Sequence, residues 1–257
     1  MLAAEYDILR QVEDRHWWHA VLRRQVLLTL AGATLPPRAQ LLDAGCGTGG
    51  MLAFLRENCP DLELDGIDAS ELAVRHCLKR GLKQVRHGSV HNLPFAQDTF
   101  DVVLSLDVLY HSGVEQEGAL AEMRRVLRPG GLLLLNLPAF NCLRGAHDVA
   151  VCGARRYKAC QVREMLERHS LTSVKMNFWN AWLFLPLLAW RRMSRLQPGV
   201  AVQAAVSDLI LPPVWLNRGL SLIGRLDAKV CRLLRVPFGS SLFATAQKPV
   251  PPRGTTL

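Results

Sequence analysis

The stretch Leu41–Gly50, LLDAGCGTGG, decides the fold. An apolar run ends on Asp43, and glycines follow at positions 45, 47 and 49. A strand that opens into such a turn usually presents backbone N–H groups and a helix N-terminus to a phosphate. Here a carboxylate stands immediately before the turn, and an acid pointing into that space would repel a phosphate. Asp43 therefore predicts a ligand that is cationic or donates hydrogen bonds. Gly45, Gly47 and Gly49 would let the backbone approach it closely. The next apolar run, LELDGID, ends on Asp68, which is placed to accept from two ribose hydroxyls, as acids at that position do in dinucleotide folds.

Working outward, strand and helix patterns alternate. Strands are predicted at 40–44, 63–67, 84–87, 101–106, 132–137, 171–179 and 240–248, with helices at 4–30, 48–57, 70–80, 116–127 and 157–170. Such alternation implies a parallel, doubly wound α/β sheet with ligands at the strand C-terminal ends. About sixty residues separate the last two strands, more than a hairpin requires. Within them Leu216, Leu220, Ile223, Leu226, Val230 and Leu233 recur at steps of three and four, and Arg218, Arg225, Lys229 and Arg232 form a basic stripe. This is an amphipathic helix, either packed on a core or lying at an interface. The expected organisation is an N-terminal helical cap (1–36), a core (37–180 with 239–248), a helical apolar and basic insert (181–238) and a flexible tail (249–257).

Charge divides the chain of 257 residues unevenly. Residues 1–138 hold 14 Lys and Arg against 17 Asp and Glu, whereas residues 139–257 hold 17 against 5. The basic half could meet nucleic acid, anionic lipid or an anionic substrate. Seven cysteines without CxxC spacing suggest reduced thiols and a cytoplasmic setting. The acidic N-terminus does not read as a signal peptide. FWNAWLFLPLLAW (178–190) falls short of the ~18 apolar residues a spanning helix needs. It predicts an interfacial or core segment, and a place at the inner membrane face is compatible with it.

The motifs resemble those of class I S-adenosylmethionine-dependent methyltransferases of the type 11 kind. LLDAGCGTGG is similar to the first motif, LDGIDAS to the second, VRHGSVHNLPFAQDTFDVVLSLDVLYH to the third and fourth, and LRPGGLLLLNLPA to a later strand. The resemblance implies a Rossmann-like seven-stranded sheet with an antiparallel last strand, and S-adenosylmethionine as cofactor. It implies cofactor contacts from Asp43, Ala44, Gly45, Cys46, Gly47, Gly49, Asp68, Ala69, Ser89, Val90 and Leu106. Where the family usually has an acid for the adenine amino group, this chain has Ser89, a weaker acceptor. EDRHWWHAVLRR, HDVAVCGARRY, FWNAWLFLPLLAWRR and VPFGSSLFATAQK resemble a bacterial subfamily associated with glycan and isoprenoid-lipid pathways.

Candidate catalytic groups are Tyr110 and His111, past the fourth strand beside Asp107, and His147 with Asp148 as an orienting acid. Candidate cap and substrate residues are His16, Trp17, Trp18, Arg24, Arg156 and Tyr157. One of the two tryptophans is expected to pack on the domain and the other to line a pocket, because adjacent helical residues diverge by roughly 100°. His16 and His19 lack an evident third ligand, so no metal is expected. The acceptor is expected to be small or lipid-linked and methylated at oxygen, with an anionic membrane surface and a second copy of the chain as further partners. Alternatives are an RNA methyltransferase using the basic half, although no RNA-binding module or base clamp is evident, a cofactor-binding module without turnover, and a dehydrogenase, which Asp43 disfavours.

Overall fold

The computed structural model describes residues 3–195 and 210–251. Residues 196–209 of the expected insert and 252–257 of the expected tail lie outside them. Seven strands form one sheet: β1 (Gln40–Ala44), β2 (Glu63–Asp68), β3 (Val85–His87), β4 (Phe100–Leu106), β5 (Leu127–Pro138), β6 (Thr172–Trp179) and β7 (Ser241–Gln247). Their order is β3-β2-β1-β4-β5-β7-β6. The first five pair in parallel, and β7 runs antiparallel to both β5 and β6. This is the predicted Rossmann-like doubly wound sheet with an antiparallel last strand.

The period of two explains why the central strands read as continuous apolar runs. Leu41, Val102 and Leu134 enter the core on one face, while Leu42, Val103 and Leu133 enter the core on the other. The helices are α1 (Ala3–Val12), α2 (Trp17–Ala31), α3 (Gly50–Asn58), α4 (Glu71–Lys79), α5 (Gln116–Val126), α6 (Ala146–Ala150), α7 (Ala159–Arg168), α8 (Phe184–Arg195) and α9 (Val214–Leu234). β5 begins earlier than predicted: Leu127 pairs with Phe100, and an irregularity carries Arg128–Gly131 into the strand. Lys248 fastens this end, its Nζ donating to the carbonyl of Leu127 at 2.7 Å and to Asp98 at 2.6 Å.

The single helix predicted over 4–30 is two. The Arg23 guanidinium reaches back to the carbonyls of Glu13 (2.6 Å) and Asp14 (3.0 Å) at the end of α1. His16 caps α2 by accepting from the Trp18 N–H at 3.3 Å. Both contacts satisfy helix-terminal groups that a continuous helix would have bonded itself.

The predicted amphipathic helix forms as α9, but its leucine stripe does not face the core. Gly224, Ala228 and Cys231 are buried against the domain, while Leu216, Ile223, Leu226, Val230 and Leu233 are exposed. Leu220 is partly buried.

Candidate active site

The C-terminal ends of β1, β2 and β4 open into a cavity of about 730 Å³. Gly45 turns the chain at φ 96°, and its N–H and that of Cys46 donate to the Ile67 carbonyl at 2.8 and 3.0 Å. A Cβ at Gly45 would lie 2.3 Å from a Val108 methyl, so only glycine admits this close approach. Asp68 accepts from the Gly47 N–H at 2.8 Å and the Ser70 N–H at 2.9 Å, which leaves carboxylate lone pairs open to the cavity. The Tyr6 hydroxyl reaches the same carboxylate at 3.5 Å.

Asp43 lines the cavity, is 2% exposed, and makes no side-chain hydrogen bond among the described residues. Burial, with the neighbouring charges of Asp68 and Glu13, pushes its carboxyl up to about 7. Asp68 and Glu13 are themselves raised, chiefly by burial. Three carboxyls at one end of one cavity favour a cationic occupant, because a positive charge there relieves the penalty of ionising them. The residues thus fit a sulfonium and ammonium ligand with ribose hydroxyls, and not a pyrophosphate.

Glu13 also clasps the site. It accepts from the Thr48 hydroxyl and from Arg80, whose second nitrogen binds Asp14 at 3.0 Å. With Tyr6 on Asp68 and His76 on Asp7 at 2.9 Å, these contacts hold α1 across the cofactor end. Sequence reading gave the covering role to an N-terminal helical cap over 1–36. Trp17 and Trp18 both line the cavity and both pack: Trp18 lies 5.2 Å from the ring of Trp179, and Trp17 lies 6.0 Å from Trp182. His16 and His19 stand 5.9 Å apart, with no third metal-type ligand among the described residues.

Ala69, Ser89, Val90, Leu106 and Cys46 line the cavity. Ala44 and Gly49 do not; Ala44 is core, and Gly49, at φ 83°, packs against Leu82 and Cys77. Ser89 differs from the weak acceptor envisaged. His91 Nε2 accepts from the Glu115 N–H at 2.9 Å, so in the neutral ring Nδ1 carries the proton and donates to Ser89 Oγ at 2.9 Å. The His91 N–H donates to the same oxygen at 3.2 Å. Ser89 is left with its own hydroxyl hydrogen to give.

At the other end of the cavity, Tyr110 and His111 stack at 4.3 Å. His111 Nδ1–H donates to the Val151 carbonyl at 2.7 Å, which leaves Nε2 as the acceptor nitrogen. Burial holds His111 down to about 4 and Tyr110 well above the usual phenol range, so both are neutral near pH 7. Asp107, at φ 55°, lines the same cavity. Burial pushes its carboxyl up to about 7, against the opposing hydrogen bond from Asn136 Nδ2 at 2.8 Å.

Four expected placements change. Asp148, expected to orient His147, forms a two-point ion pair with Arg156, at 2.9 and 3.1 Å. The same pair occupies the Arg156 guanidinium, although both residues still line the cavity. The side chain of His147 lies outside the described residues. Tyr157 is away from the cavity, its hydroxyl donating to the Leu109 carbonyl at 2.9 Å and accepting from Gln116. Arg24 lines a neighbouring depression, and Arg23 is the arginine of α2 that reaches the cavity.

Asn180 is a cavity residue that motif reading passed over. It is fully buried in a left-handed conformation (φ 56°, ψ 42°), and among the described residues neither its amide nitrogen nor its oxygen has a hydrogen-bond partner. Two orphaned polar atoms in one buried side chain are costly. Leu183, just before α8, and Leu187 and Arg191 within it also line the cavity.

Residues 42–135 match the family described as Methyltransferase domain, Methyltransf_11. The chain is 35% identical over 115 residues to phthiotriol/phenolphthiotriol dimycocerosates methyltransferase 1 of Mycobacterium ulcerans, covering 43% of this chain and 40% of that one. It is 38% identical over 136 residues to malonyl-[acyl-carrier protein] O-methyltransferase of Herminiimonas arsenicoxydans, covering 52% and 47%. The chain thus matches less than half the length of these curated relatives. Among solved structures, Haemonchus contortus phosphoethanolamine N-methyltransferase 2 with S-adenosyl-L-methionine superposes with a TM-score of 0.56 at 18% identity, over 88% of this chain and 52% of that one, a likeness of fold. The glycine turn, the cation-seeking carboxyls and the matched family together identify this chain as carrying a class I S-adenosylmethionine-dependent methyltransferase domain, with S-adenosylmethionine as its cofactor.

Proposed function

We propose that the protein transfers a methyl group from S-adenosylmethionine to a hydroxyl of an amphipathic, lipid-linked acceptor. The observation that carries this reading is the continuity of the cavity. It runs from the carboxyls of Asp43 and Asp68 to a second end with mixed lining. There Trp18, Leu183 and Leu187 supply apolar wall, and Asp107, His111 and Asn180 supply a few polar groups. A mainly apolar wall with few polar groups suits an amphipathic ligand. Resemblance to a methyltransferase of phthiotriol dimycocerosates and to an O-methyltransferase of malonyl-[acyl-carrier protein] supports an acceptor attached to a larger carrier and methylated at oxygen.

The cofactor, when bound, supplies an electrophilic methyl group on a sulfonium. Asp43 would hold its positive charge, Asp68 would accept from the ribose, and the Ser89 hydroxyl would donate to the adenine. Asp107 takes the proton of the acceptor hydroxyl; a carboxyl titrating near neutrality is suited to that task. His111 Nε2 orients the hydroxyl, and Tyr110 remains protonated and packs beneath it. Trp17 and Trp18 keep water from the line of transfer.

The test uses methyl-labelled S-adenosylmethionine, the full chain and a detergent-solubilised lipid extract, with Asp68→Ala as the blank. Label should enter the organic phase as an ether methyl and vanish in the variant; an ester methyl would point to a carboxylate acceptor and overturn the hydroxyl. Label confined to water-soluble products would overturn the lipid-linked acceptor, and label on carbon or nitrogen would overturn the hydroxyl.

A further inference from the structure

α9 has three faces. The inner one is made of small residues: Gly224 sits so close to α2 that a Cβ there would fall 2.8 Å from Val21, and Ala228 and Cys231 continue the buried line. Asn217 anchors its start, donating to the Arg15 carbonyl at 2.7 Å and accepting from the Trp17 N–H at 2.9 Å. Asp227, the one acidic residue of this helix, is turned inward and accepts from the Ala181 and Trp182 N–H groups.

The opposite face is apolar and open. Trp215 is 75% exposed, Leu226 56% and Leu233 68%, with Leu222, Ile223 and Val230 between them. Six large apolar side chains on a helix that already packs through another face exceed what scattered surface hydrophobes explain. The third face, between these two at 100° per residue, carries Arg218, Arg225, Lys229 and Arg232, all exposed. An apolar stripe flanked by cations without an outward acid is the pattern of a helix that lies in the plane of a bilayer interface.

We propose that the outward face of α9 docks on an anionic membrane surface. Charge decides between this occupant and a second copy of the chain. A twofold contact through the same face would bring two basic stripes together, whereas an anionic bilayer takes the leucines into its acyl boundary and the arginines against its headgroups. The inference deepens the lipid-linked reading above, because a docked protein would meet its acceptor at the bilayer. It is nevertheless measured without substrate or turnover, so either can fail alone.

The experiment is flotation of the full chain with phosphatidylcholine vesicles, with and without phosphatidylglycerol. Wild type should float only with the anionic vesicles, less so as salt rises. Arg225→Gln/Lys229→Gln should bind about thirtyfold more weakly, since each cation near the surface contributes roughly a factor of five. Leu226→Asp/Leu233→Asp should not float. Both variants replace exposed side chains outside the cavity, so their S-adenosylmethionine affinity and Tm should match wild type, which separates lost docking from lost folding. Equal flotation with both vesicle types, no flotation, or undiminished flotation of both variants would overturn the proposal. A wild-type dimer that Leu226→Asp/Leu233→Asp splits, with no vesicle binding, would assign the face to a second copy instead.

Discussion

Asn136 ties Asp107 to Trp179. Its Nδ2 donates to Asp107 Oδ2 at 2.8 Å, and its Oδ1 accepts from Trp179 Nε1 at 3.0 Å. Asn136 and Trp179 are fully buried, so neither bond is exchanged cheaply for water. Asn136→Leu should destabilise the protein by about 1–3 kcal/mol for each group left unpaired, read as a lower Tm. The donor to Asp107 lowers its proton affinity, so removing it should move the titration of Asp107 upward and shift the alkaline rise of activity with it. An unchanged Tm and pH profile would refute the tie.

Cofactor affinity should depend on pH through Asp43. Its carboxyl is pushed up to about 7 in the free protein, and a cationic ligand favours the ionised form. Below that pH the carboxyl must lose a proton for the ligand to bind, so affinity falls as pH falls. The slope should approach tenfold per pH unit once the group is mostly protonated. Calorimetric titrations across pH 5.5 to 8.5 (roughly, spanning the expected transition) should show this in wild type and a flattened response in Asp43→Asn. A flat wild-type response would remove Asp43 from the cationic site.

The Asp148–Arg156 pair is a structural strut. Its side chains are 4% and 11% exposed, and Asp148 also accepts from the Gly145 N–H at 2.8 Å. Removing one member strands a buried charge and should cost about 3–5 kcal/mol, whereas replacing both by apolar residues should recover much of it. Denaturant unfolding of Arg156→Met, Asp148→Leu and the double variant measures this as a coupling energy. Additive losses would show that the two residues do not act as a pair.

Two glycines of one turn should differ. Gly45→Ala places a Cβ 2.3 Å from Val108 at a φ of 96°, whereas the nearest atom to a Cβ at Gly47 is a Leu9 methyl at 3.7 Å. Gly45→Ala should abolish cofactor binding or folding. Gly47→Ala should cost only the left-handed backbone term, about 1–2 kcal/mol, and retain binding. Equal behaviour of the two would contradict the close approach at Gly45.

These contrasts also mark what was legible in sequence. β1 and β4 could be placed because both faces of each are buried and the runs are mainly apolar. Asp43 and Asp68 could be assigned because a carboxylate beside a glycine turn has few chemical readings. The break between α1 and α2 was not legible, since it depends on Arg23 reaching carbonyls ten and nine residues back. Periodicity revealed that α9 is amphipathic but not which face packs. Contact with α2 and β6 selects Gly224, Ala228 and Cys231, because small residues allow close approach, and leaves the leucines outside. Tyr157 and Arg156 looked like ligands for an anion because their partners, Leu109 and Asp148, are set by tertiary structure. Asn180 carried no motif; its orphaned amide exists only where the end of β6 meets the cavity.

The most direct test of the account is the single-turnover rate of methyl transfer from saturating, pre-bound cofactor, followed against pH in wild type and Asp107→Asn. Saturation removes the contribution of Asp43 to binding. The account predicts a wild-type rate that rises through about pH 7, and an Asp107→Asn rate lower by about 10²–10⁴ without that rise, at unchanged cofactor affinity. Transfer by Asp107→Asn at the wild-type rate and with the wild-type pH profile would contradict it.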